Sequence, residues 1–191
     1  MKVILINLIS QKFLVRYQAP LAVNTLANYL KFKLSKVSVE VVDMQSLFDD
    51  FNKSNKLKKE INYKKAVDTI IKNICQACNN DNIIVGLSMK WTTKQVAEYI
   101  ISQVRKKVSK TKILFVLGNI VSTYGYRDLL KQPIFKNELA VIGEGEDALV
   151  KIVDLSLKNI KNFTEVNLYK DIPNVAINYK GAVILNELKR V

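Results

Sequence analysis

The chain has 191 residues, 49% of them hydrophobic, which suits one compact domain with a substantial core. It contains no histidine and only two cysteines, which excludes Ser-His-Asp and Cys-His nucleophile systems, histidine metal ligands and a four-iron cluster. Its net charge of +13 would attract an acidic partner or nucleic acid, although a Lys-rich composition alone also explains it. Nucleic acid is the less favoured partner, because aromatic residues do not alternate with the basic runs at 53–65 and 105–112.

The first predicted element is a buried strand at residues 2–9, KVILINLI, a continuous apolar run rich in β-branched residues. No apolar run approaches the roughly 18 residues of a membrane span. No small-residue cleavage site follows the strand, so we expect a cytoplasmic protein. A loop at residues 10–19 leads to Pro20, where a helix at 20–34 can begin.

A second strand is predicted at residues 37–42, ending at Asp43. Residues 44–65 are less regular, and their Asn- and Lys-rich part predicts an exposed loop. An amphipathic helix at about 62–78 follows, and it contains the C-x-x-C pair Cys75 and Cys78. Such a pair can be a redox couple or half a zinc site. Ordinary helix residues are favoured, because the second half of a zinc site is missing and Cys78 falls on the apolar stripe.

The rest of the chain repeats the alternation of strands and helices. Strands are predicted at residues 82–87, 112–117 and 139–142, and helices after Thr92 or Thr93, near 126–131 and at 145–158. Two strand-like pieces, 175–179 and 182–185, surround Lys180-Gly181 and predict a hairpin.

This alternation predicts an α/β fold with helices on both faces of a parallel sheet. Five strands favour a flavodoxin-like, or Rossmann-like, order of 2-1-3-4-5 with a C-terminal β-hairpin appendage. We expect the α/β domain to occupy residues 1–160 and the hairpin and linker segment residues 161–191.

Ligands of open parallel sheets bind outside the carboxyl ends of the strands, which selects the loops after each strand. Three of these loops are distinctive: LSMKWTT, LGNIVST and IGEGEDAL. Glycine lets the backbone approach a ligand closely, and a helix that begins directly after a loop offers free N–H groups. The acidic residues of the third loop equally suit simple helix capping. None of the loops is a G-x-G-x-x-G or Walker A motif, so dinucleotide or ATP binding is not indicated.

Taken together, these segments resemble the N-terminal B12-binding domain of cobalamin-dependent radical-SAM enzymes. The resemblance covers about residues 1–186 and rests on the order and spacing of short motifs. They are Pro20-Leu21-Ala22, Gly86-Leu87-Ser88 with Thr92, Gly118-Asn119, Gly143-Glu144-Gly145-Glu146 and Ile172-Pro173-Asn174-Val175. Asn119 stands where the family usually has the second glycine of a Gly-Gly pair. The family's radical-SAM barrel is missing from this sequence.

The resemblance implies a cobalamin cofactor whose nucleotide tail enters beside the sheet, where small residues must line the slot. Ser88 would donate a hydrogen bond to the tail base, and Asn119 would bind an amide or phosphate. The cofactor-binding residues it implies are Ser10, Gly86, Ser88, Trp91, Thr92, Gly118, Asn119, Gly143, Glu144, Gly145 and Glu146. Trp91 has two possible roles, partial packing against the protein and contact with the ligand.

Several functions are compatible with this likeness. The chain can be a cobalamin-binding module for a radical-SAM domain or subunit of methyltransferase type, with no complete catalytic site of its own. It can also be a degenerate relative that has lost cobalamin and docks to an acidic partner or nucleic acid. Flavodoxin and response-regulator functions fit poorly, because the first loop lacks a hydroxyl-rich phosphate site and Ser88 replaces the aspartate that a response regulator needs.

Overall fold

A single mixed sheet organises the computed structural model, which describes residues 1–11, 20–54 and 58–189. Its strand order is β2-β1-β3-β4-β5-β6-β7. The strands are β1 (Lys2–Asn7), β2 (Ser38–Asp43), β3 (Ile83–Ser88), β4 (Ile113–Gly118), β5 (Leu139–Val141), β6 (Val175–Tyr179) and β7 (Ala182–Leu185). The first five strands are parallel and follow the predicted order 2-1-3-4-5.

The predicted count of five strands is wrong, because the hairpin continues the sheet instead of standing apart from it. Strand β6 pairs antiparallel with β5, with Ala140 opposite Ala176 and Val141 opposite Val175. Residues 175–177 have no exposed surface, since their apolar side chains complete the core beside β5. The hairpin strands themselves lie at the predicted positions. The division at residue 160 stays a prediction.

Helices cover both faces of the sheet. They are α1 (Leu21–Lys33), α2 (Met44–Ser54), α3 (Lys59–Asn80), α4 (Lys94–Lys107), α5 (Ile120–Lys131) and α6 (Glu146–Lys158). One core layer joins the sheet to α2, α3, α4 and α5, and the other joins it to α1 and α6. Within the described ranges, no helix is both long enough and apolar enough to cross a membrane.

Two predicted boundaries are corrected by the structure. Helix α2 occupies much of the segment expected to be irregular, because Asp43 ends β2 and accepts hydrogen bonds from the Gln45 backbone and the Ser46 hydroxyl. Helix α5 begins six residues earlier than residue 126, at Ile120, directly after Asn119. Residues 55–57 of the predicted loop lie outside the described residues.

The two cysteines lie on α3, where Cys78 is buried and Cys75 is half-buried, and both are free thiols. Burial raises the pKa of Cys75 and raises that of Cys78 to about 11. A raised thiol pKa disfavours the thiolate, which is the reactive form, so the environment suits ordinary helix residues.

A buried ion pair fastens α4 to the amino ends of β4 and β5. Arg105 Nη2 donates to both carboxylate oxygens of Glu138, at 2.8 and 2.9 Å, and the Phe115 backbone N–H donates to the same carboxylate at 3.3 Å. Burial raises the pKa of Glu138 to about 7, although the Arg105 charge opposes the shift. This pair lies at the end of the sheet opposite the cavity described below and links α4 to the sheet.

Candidate functional site

A cavity of about 300 Å³ lies at the carboxyl ends of the parallel strands, between the sheet and helices α1 and α6. This volume is at the lower end of the roughly 300–1,000 Å³ typical of ligand pockets. Its floor is apolar and its rim is polar. The floor consists of Leu5, Val23, Leu26, Val116, Val141 and Leu149. The rim includes Ser88, Asn119, Glu144 and Glu146.

Four glycines line this cavity, and they differ in the space that a side chain would find. A Cβ atom on Gly118 would have the Leu87 carbonyl oxygen, at 4.0 Å, as its nearest neighbour, and one on Gly143 would meet nothing within 4 Å. A Cβ atom on Gly86 would lie 2.6 Å from Leu5 Cδ2, so Leu5 already occupies that space. The slot is therefore open beside Gly118 and Gly143 and partly closed beside Gly86.

Asn119 joins the ends of β3 and β4. Its Nδ2 donates to Ser88 Oγ at 2.9 Å, and its Oδ1 accepts from the Ile120 backbone N–H at 2.6 Å. Its backbone has φ 75° and ψ −164°, a region populated almost only by glycine. This geometry explains why a glycine suits the position in the family that the sequence resembles.

Thr123 extends these contacts to the end of β5. Its backbone N–H and hydroxyl both donate to the Asn119 carbonyl, at 3.0 and 3.2 Å. The Thr123 hydroxyl in turn accepts from the Gly143 backbone N–H at 3.1 Å. The ends of three neighbouring strands are thus held by one chain of hydrogen bonds, which we call the rim network: Ser88, Asn119, Thr123 and Gly143.

The loop after β5 closes the cavity beside α6. Gly143 has φ 73°, a left-handed conformation that glycine adopts without strain. Glu146 begins α6, where a carboxylate complements the helix dipole. The Tyr29 hydroxyl donates to Asp147 Oδ1 at 2.7 Å and ties α1 to α6, and this hydrogen bond raises the pKa of Tyr29.

Eight of the eleven residues predicted from the sequence line the cavity. They are Gly86, Ser88, Gly118, Asn119, Gly143, Glu144, Gly145 and Glu146. Whether they bind a cofactor stays a prediction.

The other three predicted residues lie elsewhere. Trp91 is 58% exposed, and its ring packs against α5, where a Cβ atom on Gly125 would meet it at 2.6 Å. Thr92 is exposed and does not line the cavity. Ser10 is buried at the start of the loop after β1, and residues 12–19 of that loop lie outside the described residues.

Sequence reasoning missed the floor of the cavity. Leu5, Gly86 and Val116 are neighbours in register on β1, β3 and β4, so they share one face of the sheet. Helix α1 contributes Ala22, Val23 and Leu26 to the same cavity. The strict alternation of side chains along paired strands is the signal that identifies the sheet residues once the register is known.

Comparisons with known proteins found similarity in structure but no match in sequence. No family model matches the chain, and no curated protein matches its sequence. The chain is similar in structure to OxsB, a cobalamin-dependent S-adenosylmethionine radical enzyme. With aqua-cobalamin bound to OxsB the TM-score is 0.71, and with aqua-cobalamin and S-adenosylmethionine bound it is 0.70. For the apo, SeMet-labelled enzyme it is 0.66.

The likeness to OxsB extends over 100% of this chain at 21% sequence identity. The chain spans only about a fifth of that enzyme, because the match covers 22% of its length. At this identity the comparison establishes the fold alone. The family resemblance predicted from the sequence is confirmed at the level of the fold: this chain has the architecture of one part of a cobalamin-dependent radical-SAM enzyme.

Proposed function

We propose that this protein is a cobalamin-binding module that positions the cofactor for a radical-SAM domain or subunit. The observation that carries the proposal is the cavity at the carboxyl edge of the sheet, which is open beside Gly118 and Gly143. Open parallel sheets bind their ligands at this edge. The fold that places the cavity there is similar to part of an enzyme that binds cobalamin.

The residues of the cavity fit a slender, partly polar group such as a nucleotide tail. The apolar floor, which includes Val116 and Val141, suits an aromatic base, and Ser88 at the rim supplies a hydroxyl for a hydrogen bond. A volume of about 300 Å³ accommodates a tail but not a corrin ring, which would have to lie outside the cavity. Backbone N–H groups at 143–146 would bind the polar periphery of the ligand.

Catalysis would belong to the cofactor and to a partner. When bound, cobalamin would supply methyl-transfer or radical chemistry, while this chain would supply position and electrostatics. The enzyme with the similar fold is more than four times as long as the matched part, since the match covers 22% of it. A radical-SAM domain or subunit is therefore the partner that we propose.

A substitution at Gly118 tests this proposal with little risk to folding. A Cβ atom there meets nothing closer than 4.0 Å, so Gly118→Val would place its methyl groups in the cavity. We expect the wild-type protein to retain aquacobalamin in equilibrium dialysis and to shift its visible spectrum. We expect Gly118→Val to lower the affinity at least about tenfold, the ratio that corresponds to about 1.4 kcal/mol.

Ser38→Val is the matched control, because Ser38 is an exposed residue at the amino end of β2, away from the cavity. It should bind aquacobalamin as the wild-type protein does. An unchanged spectrum and no retention by the wild-type protein would reject cobalamin binding. Equal affinities of the wild-type and Gly118→Val proteins would place the ligand outside this cavity.

A further inference from the structure

We propose that Asn119 is a positioning residue that fixes the direction of the Ser88 hydroxyl. The cavity rim then offers a hydrogen-bond donor, and it selects a ligand whose tail carries an acceptor atom without a hydrogen, such as an unprotonated ring nitrogen. This inference rests on the proposed function and refines it. It also changes the role expected of Asn119, which acts through Ser88 instead of binding an amide or phosphate itself.

The orientation of the Asn119 amide follows from its neighbours. A backbone N–H can only donate, so the amide atom 2.6 Å from the Ile120 nitrogen has to be the oxygen, Oδ1. The NH₂ group therefore points at Ser88 Oγ, 2.9 Å away. Because an amide NH₂ group has no acceptor, Ser88 Oγ accepts this bond and its own hydrogen is directed elsewhere.

The Ser88 hydroxyl hydrogen is then available to a ligand. Ser88 is half-buried at the rim of the cavity, and among the described residues its hydroxyl is hydrogen-bonded to Asn119 alone. A hydroxyl that already accepts a hydrogen bond is satisfied best when it also donates one. An acceptor on the ligand would complete this arrangement, whereas a second donor would compete with Asn119 for the same oxygen.

The backbone of Asn119 supports a specific role for its side chain. Its φ of 75° and ψ of −164° cost a non-glycine residue about 1–3 kcal/mol, and glycine would avoid this cost. The side chain offsets the strain through its contacts with Ile120 and Ser88. Only the contact with Ser88 reaches another strand and the cavity, so it is the contact that can act on a ligand.

Two substitutions separate this role from simple packing. Asn119→Asp keeps the size of the side chain and its bond to the Ile120 N–H, but a carboxylate only accepts, so Ser88 would have to donate to it. The hydroxyl hydrogen would then turn away from the cavity. Asn119→Gly deletes the side chain, relieves the backbone strain and leaves the Ser88 hydroxyl free to rotate toward a ligand.

The probes are aquacobalamin and cobinamide, and cobinamide lacks the nucleotide tail. Circular dichroism first verifies that each variant folds. We expect Asn119→Asp to weaken aquacobalamin binding at least about tenfold and Asn119→Gly by less than about threefold. Cobinamide affinity should change by less than about threefold in both variants, because it lacks the tail that Ser88 would contact. A packing role predicts the reverse order for aquacobalamin, with the glycine variant affected more.

A Ser88→Ala background tests whether the effect passes through Ser88 or arises from the added negative charge. In this background we expect Asn119→Asp to weaken aquacobalamin binding by less than about threefold, because the two residues act as one unit. If Asn119→Asp weakens aquacobalamin binding equally in both backgrounds, or does not weaken it at all, the inference about Asn119 is wrong. The proposed function would still stand. Failure of the wild-type protein to bind aquacobalamin would overturn the proposed function and this inference with it.

Discussion

At the scale of single residues, the missing side chain of Gly86 leaves space that the neighbouring Leu5 fills, and not a ligand. Gly86 and Leu5 are register partners on adjacent strands, and Leu5 Cδ2 fills the space above the glycine. Leu5 also lines the cavity, so its side chain has room to rotate into that space. A larger residue at position 86 would therefore change the cavity through Leu5.

Gly86→Ala should reduce aquacobalamin binding with only a small change in stability. The added Cβ atom, 2.6 Å from Leu5 Cδ2, forces Leu5 toward the cavity. Displacing Leu5 destabilises the fold, whereas replacing glycine in a strand stabilises it by about 0.5–1 kcal/mol through backbone entropy. Because the two effects oppose each other, we expect the free energy of unfolding to change by about 1 kcal/mol or less. Dialysis and denaturant unfolding measure the two quantities separately.

A second substitution distinguishes this explanation from a direct contact at Gly86. Leu5→Val removes the Cδ atoms, so the double variant Gly86→Ala, Leu5→Val should recover most of the binding that Gly86→Ala loses. If the double variant binds no better than Gly86→Ala alone, the loss comes from the new methyl group itself and not from Leu5.

The glycines of the cavity rim could be predicted from the sequence, but the strained backbone of Asn119 could not. Glycines directly after two strands point to Gly118 and Gly143 without any coordinates. The positive φ of Asn119 has no signature in the sequence beyond its place after Gly118, because asparagine is common in ordinary turns. Trp91 is the only tryptophan of the sequence, and its contact with Gly125 depends on how α5 lies against the turn at 91–93, which the sequence does not reveal.

At the scale of elements, helices α2 and α5 differ most from the prediction, and each begins within one residue of the strand before it. Asp43 and Asn119 are each the residue before the first helical residue, with no loop in between. A prediction that assumes a loop between strand and helix places the first residue of such a helix too far along the chain. The hairpin was located because Lys180-Gly181 marks a tight turn, and both residues have positive φ.

The ion pair between α4 and β5 predicts a pH dependence of stability. Burial raises the pKa of folded Glu138 from its ordinary value of 4.5 to about 7. Between these values the folded state binds more protons than the unfolded state, so stability is lost as pH rises. The whole shift corresponds to about 3–4 kcal/mol, of which about 2–3 kcal/mol is lost between pH 4.5 and pH 7.

Glu138→Gln removes this titration. Relative to the variant, the wild-type free energy of unfolding should fall by about 2–3 kcal/mol between pH 4.5 and pH 7, as measured by urea unfolding at both values. Glu144→Gln, which changes an exposed carboxylate, is the control and should not alter the slope. Parallel pH curves for the wild-type and Glu138→Gln proteins would show that folding does not raise the pKa of Glu138.

At the scale of the whole molecule, part of the positive charge lies where helices end. Helices α1, α4, α5 and α6 all carry basic residues in their last turn, and α6 carries Glu146 and Asp147 in its first. Both placements complement the helix dipole. The cavity lies at the opposite ends of α1 and α6, so the basic helix ends are separated from the proposed site.

The segment after α6 is as much a part of the core as the strands before it. Phe163, Tyr169, Val175 and Ile177 have no exposed surface, and they pack with residues of β4, β5 and α6. The Tyr169 hydroxyl is also hydrogen-bonded to Ser156 of α6, at 2.7 Å, and to the Phe163 carbonyl. The sheet and this segment therefore share one hydrophobic layer.

Removing the segment should consequently unfold the protein. Burial of one large apolar side chain contributes about 1.5–3 kcal/mol, so four of them contribute roughly 6–12 kcal/mol. The net stability of a domain is about 5–15 kcal/mol, and the loss is of the same size. We expect a chain of residues 1–160 to lack a cooperative thermal transition and to aggregate, whereas residues 1–191 melt cooperatively. Circular dichroism and size-exclusion chromatography measure both properties, and a cooperative, monomeric 1–160 fragment would show that the sheet is stable without β6 and β7.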